Sequence, residues 1–108
     1  MFAINEGMKQ INGEIVDTFE RKVDCGGVHM EVEAGTTGFG NVPEEDARGY
    51  IRIKSNRGDF FSKITTDDMD RPRQVEVAVS GEMELRALLK AVQFAAEALK
   101  EMCDDEID

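Results

Sequence analysis

Short runs of alternating polarity followed by one long run of helical spacing predict an α+β fold for this chain of 108 residues. Three observations carry that expectation. Val28, Met30, Val32 and Ala34 alternate with His29, Glu31 and Glu33, the period of a strand with one buried face. Ile51 and Ile53, and then Val75, Val77 and Val79, repeat the alternation with β-branched residues on the apolar side. Leu85, Leu88, Leu89, Val92, Ala95, Ala96, Leu99 and Met102 recur at spacings of three and four, the mark of an amphipathic helix. Strands first and a helix last predict a mainly antiparallel sheet of four or five strands. One long C-terminal helix packs on one face of it, within a single domain, residues 1–108.

Residues 1–24 form an N-terminal segment of unassigned role. Within it Glu14 to Val23 favours a strand over a short helix, because Val16, Thr18 and Phe19 are better strand formers, and its register stays open. Val28 to Ala34 is the first clearly alternating strand, and Ile51 to Lys54 the next. Phe60 to Ile64 reads as a further strand, bounded by the turn-forming Asn56-Arg57-Gly58-Asp59 and by Thr65 to Pro72. Val75 to Val79 precedes the helix, Glu82 to Met102. Ser80 and Gly81 give the helix its start signal, Glu82 and Glu84 suit its N-terminal dipole, and Lys100 its other end. The Leu-rich stripe faces a core, used wholly by the chain's own sheet or partly by a second copy, which admits a homodimer. Asp104 to Asp108 is an acidic tail.

Twenty-three acidic against thirteen basic side chains leave a formal net charge of -10. That balance disfavours direct nucleic-acid binding through net charge, and equally an anionic membrane surface. The charge is uneven. Residues 31–47 hold five acids and no base, whereas residues 48–73 hold seven bases against four acids. No run of about 18 apolar residues occurs, and Asn5, Glu6, Lys9, Gln10 and Asn12 interrupt Met1 to Ile15, so neither a membrane span nor a signal peptide is expected. The cytoplasm is the expected address. Cys25 and Cys103 belong to no C-x-x-C pair and are expected to be free thiols.

Several constellations fall short of a catalytic or metal site. His29, Glu31 and Glu33 share one strand face, which would suit zinc or manganese, but three ligands strung along one strand close poorly on an ion with bonds of about 2 Å. Polar alternation on a solvated face gives the same pattern, so no metal is expected. Gly35-Thr36-Thr37-Gly38-Phe39-Gly40 follows a strand, yet carboxylates rather than a helix come next, so it reads as a connection and not a phosphate cradle. Asp67, Asp68 and Asp70 lack the spacing of a calcium loop. His29 and Cys25 lack an orienting third group, which makes a thiol enzyme the lesser reading. No cofactor is expected.

Met30-Glu31-Val32-Glu33-Ala34-Gly35-Thr36-Thr37-Gly38-Phe39, Arg48-Gly49-Tyr50-Ile51-Arg52-Ile53, and Val75 through Gly81-Glu82-Met83-Glu84-Leu85 carry a resemblance over the last three quarters of the chain. The sequence resembles a family of small uncharacterised bacterial proteins of mobile elements and phages, marked by an E-V-x-x-G-T-T-G-[FY] strand and turn. Gly40 to Ala47 stand where that family carries a Gly-Gly-Asp and Gly-His-Gly loop. The resemblance implies the fold and a mobile-element setting. That setting, with small size and acidity, suggests a non-catalytic protein-interaction module, and within that class an anti-CRISPR-like inhibitor. Such an inhibitor docks carboxylates onto a basic, nucleic-acid-binding host defence protein. Glu31, Glu33, Glu44, Glu45 and Asp46 are its candidate contact residues. Two competing readings remain. One is an anion or nucleic-acid patch of Arg48, Arg52, Lys54, Arg57, Arg71 and Arg73; the other is a small metal- or thiol-dependent enzyme.

Overall fold

Two tight turns set up the sheet. In the computed structural model, which describes residues 4–38, 43–56 and 60–103, Asn12 and Gly13 have φ of 49° and 88°, and Gly26 and Gly27 have φ of 57° and 88°. Positive φ at both central residues is what a two-residue type I′ hairpin demands, and Asn-Gly and Gly-Gly supply it with little steric cost. These turns join β1 (Asn5–Ile11), β2 (Glu14–Cys25) and β3 (Val28–Thr36) into a meander. A 3-10 turn (Glu44–Asp46) then leads to β4 (Gly49–Ser55), giving an antiparallel sheet in the order β1-β2-β3-β4. Register is fixed by pairs such as Thr18 with Gly35 and Glu33 with Arg52.

One face of this sheet carries the core. Val23 and Cys25 of β2 and Val28, Met30, Val32 and Ala34 of β3 are buried against α1 (Glu82–Met102). Val28, Met30 and Val32 are at most 2% exposed, and each contributes about 1.5–3 kcal/mol by leaving water. The helix lies mainly over β3 and secondarily over β2. Its first turn is tied down by Glu84, whose carboxylate accepts the Ser80 N–H at 2.8 Å, while Gly81 takes the N-cap position at φ 97°. The α+β class, the antiparallel sheet and the C-terminal helix on one face are as the sequence predicts.

The helix is rotated from the predicted register. Ala87, Ala91, Phe94, Ala95 and Ala98 face the sheet, with Glu84 buried among them at one end. Leu85, Leu89 and Val92, expected to line the core, are 58%, 57% and 49% exposed. The physical reason lies in the partner surface. Val, Met and Cys side chains on β2 and β3 already fill the layer, and alanines let the helix come close, whereas leucines there would overpack it.

The remaining strands do not extend the sheet. β5 (Phe61–Thr66) and β6 (Pro72–Ala78) pair only with each other, as a separate two-stranded sheet, with an irregularity at Thr65 and Thr66. Every residue of both strands is exposed. Phe60 and Val79, at the base of this hairpin, pack against the core beside Ile53 and Leu88.

Candidate functional site

The outer face of the four-stranded sheet is a charge ladder built by register. Glu20, Glu33 and Arg52 lie side by side on β2, β3 and β4, and Lys22, Glu31 and Lys54 form the next row. Arg52 Nη2 donates to Glu20 Oε2 at 2.6 Å and to Glu33 Oε1 at 3.2 Å. Thr18 Oγ1 donates to the other Glu33 oxygen, Oε2, at 2.6 Å, and Lys9 Nζ is 3.9 Å from Oε1. Burial of Arg52 opposes its charged form, but the hydrogen bond and charge of Glu33, with Tyr50 and Glu20 adding, raise its pKa above the ordinary arginine value. Glu33 is 6% exposed, so this carboxylate is spent on the sheet's own packing. Gly7 and Gly35 flank Thr18 on neighbouring strands, and a Cβ at Gly35 would collide with the Asp17 carbonyl and with Thr18.

The acidic candidates are therefore dispersed. Glu31 is half-buried, 3.9 Å from Arg52 and level with two lysines. Glu45 and Asp46 sit in the 3-10 turn, beyond the far end of β3 from Glu31, and the Glu44 side chain lies outside the described residues. Among the basic candidates, Arg48 clamps backbone: it donates to the carbonyls of Ile11, Asn12, Glu45 and Ala47, each at 3.1 Å. Arg52 serves the ladder, Lys54 is exposed on the edge strand, and Arg57 lies outside the described residues. Arg71 and Arg73 are at the hairpin tip, where both guanidinium Nε atoms reach Asp67 Oδ2, at 3.0 and 2.9 Å. Among the described residues, the structure brings neither the acidic nor the basic candidates together as one surface.

Asp67 organises that tip. Its Oδ1 accepts the N–H groups of Met69 and Arg71 at 2.9 and 3.0 Å. The Arg71 N–H, then the Arg73 side chain and the Met69 N–H, hold the carboxyl below its ordinary pKa. Asp68 and Asp70 are exposed, and Asp70 has φ 61°, so this cluster builds a turn.

The candidate catalytic pair is split by the sheet. Cys25 pairs with Val28 on the helix side, whereas His29 pairs with Asp24 on the outer side, with Nδ1 3.7 Å from Asp24 Oδ2. Among the described residues no group of three or more His, Cys, Asp or Glu side chains is placed to hold a metal. Both cysteines are free and buried. Of the glycine-rich connection, Phe39 to Val42 lie outside the described residues, as do the Arg57-Gly58-Asp59 motif and the Asp104–Asp108 tail.

Apolar residues whose alternation and spacing predict a core remain exposed on the β5–β6 hairpin and on α1. On β5 and β6, Ser62 and Ile64 share one face with Val75 and Val77, by the pairing of Ile64 with Val75 and Ser62 with Val77, and Phe60 and Val79 flank the hairpin just outside the two strands. Lys63, Thr65, Gln74 and Glu76 take the other face, with Phe61, 52% exposed, and Ala78 beside them at the end nearest Phe60 and Val79. Only the Phe60–Val79 end meets the core; Ile64, Val75 and Val77 are 64%, 71% and 41% exposed. On α1, residues placed about 100° apart trace an apolar arc of roughly 220°. The sheet covers only the half centred on Ala91, and Leu85, Leu89, Val92 and Ala96 line the open half. A signal was available in the helix, since a stripe serving one sheet needs little more than about 100° of arc.

No protein-family model, curated protein or solved structure matches the chain. Its function is read from its own geometry. No helix among the described residues is long and apolar enough to cross a membrane.

Proposed function

We propose that this chain is a non-catalytic protein-binding module that works through the apolar face of its β5–β6 hairpin and the open flank of α1. The observation that carries the reading is the hairpin itself. A lone two-stranded hairpin is marginal in water, and an amphipathic one with its apolar face uncovered gains its stability by docking on something apolar. An acidic, anti-CRISPR-like mode has less support, because Glu33 and Glu31 are engaged by Arg52 within the sheet. A thiol or metal enzyme has less support for the same kind of reason, since Cys25 and His29 face opposite ways.

Site-specific photo-crosslinking in cells tests the reading. A photoreactive residue at Val75, on the apolar face, is expected to trap protein adducts, whereas the same residue at Glu76, opposite Lys63 on the other face, traps few. Equal trapping at both positions, or none at either, overturns it.

A further inference from the structure

Resting on that reading, we infer that the partner is a second copy of this chain, with the β5–β6 hairpin of each protomer laid along the open α1 flank of the other. Length, charge, stoichiometry and area all bear on it. The two surfaces match in length: Val75 to Val79 spans about 14 Å as strand, and Leu85 to Ala96 about 16 Å as helix. Neither carries a formal charge: Ser62 is the one polar residue beside Phe60, Ile64, Val75, Val77 and Val79, and Leu85, Leu89, Val92 and Ala96 are all apolar. Two copies that each carry a net charge of -10 repel one another, so a contact between them belongs where neither surface is charged. A basic nucleic-acid-binding partner would seek the charged faces instead.

The stoichiometry also closes. Each protomer offers one uncovered hairpin and one uncovered helix flank, so a two-fold arrangement satisfies both at once and leaves neither to propagate. The area is of the right size. From their exposed fractions, Ile64, Val75, Val77, Leu85, Leu89 and Val92 leave roughly 600 Å² open, most of the about 800 Å² that each partner gives to a standard interface. The radius of gyration of 15.2 Å exceeds the about 13 Å of a packed domain of this length, as elements left off the core require, β1 and the β5–β6 hairpin among them.

Sedimentation velocity and light scattering on the purified chain are the test. A mass twice the 12.0 kDa of one chain is expected at micromolar concentration. Val75→Asp and Leu89→Asp should each weaken self-association by about 100-fold or more, because each change occurs twice in a two-fold interface, with helical circular dichroism retained. A chain that stays monomeric at about 100 μM, or a dimer that both variants leave intact, overturns the inference. Should a variant fail to fold, hydrogen exchange on the unaltered chain decides. Protection of the β5 and β6 amides that falls on dilution supports the reciprocal arm, and protection independent of concentration overturns it. A monomer that still gives adducts at Val75 and not at Glu76 discards the second copy and keeps the protein-binding reading. A monomer without that difference discards both.

Discussion

Asp67 shows how one carboxylate can decide the shape of a turn. Its two oxygens accept from two backbone N–H groups and two arginines, and its pKa lies below the ordinary value. A group depressed in the folded state lends stability that is complete above the unfolded-state pKa and is lost as pH falls through the folded-state pKa. The hairpin tip is therefore expected to hold at neutral pH and loosen below the usual aspartate range. Amide exchange of Met69 and Arg71 followed against pH checks this. In Asp67→Asn the same amides should exchange faster at neutral pH, and the acid-dependent step should vanish. In the sequence Asp67 was legible only as part of a solvated acidic turn, because nothing in its neighbourhood tells which of three aspartates will face Arg71 and Arg73. Arg48 and Arg52 were likewise legible as charges but not as a backbone clamp and a ladder rung, roles set by strand register.

At the scale of elements, alternation and spacing foretold β3, β4, β6 and α1 to within a few residues, because burial on one face writes itself directly into the pattern. β1 was not foretold, although Asn12-Gly13 is a strong hairpin signal; its strand is nearly all exposed, so no apolar period marks it. The helix register was misjudged by weighing side-chain size. Leucines looked like core, yet the layer above β3 is filled from the strand side and takes alanine. Substitution separates the two registers. Ala91→Leu should cost about 1–3 kcal/mol by overpacking, whereas Gln93→Leu, on the charged arc, should stay within about 0.5 kcal/mol. Urea denaturation of the two variants reads the difference, and a silent Ala91→Leu would mean that the helix turns its leucines inward after all.

For the whole molecule, the placement of the bases bears on nucleic acid. Arg48 and Arg52 are engaged within the sheet, and Arg71 and Arg73 share Asp67 on an arm set apart from it. Among the described residues these bases form no continuous stripe, and the net charge of the chain is -10. Titration of labelled single- and double-stranded DNA and RNA at low salt should therefore give no saturable binding; a saturable signal that fades steeply with salt would restore the basic-segment reading. The site was hard to read in the sequence because it consists of residues whose pattern announces a core. Only the three-dimensional arrangement shows which half of that pattern the chain uses for itself.

Cys25 ends β2 at the turn into β3, and Cys103 follows the last turn of a 21-residue helix about 30 Å long, so the two sealed sulfurs report on different parts of the core. That placement gives the molecule a native pair of clocks. The rate at which each thiol accepts a labelling reagent measures how often its own part of the core breathes, without any introduced probe.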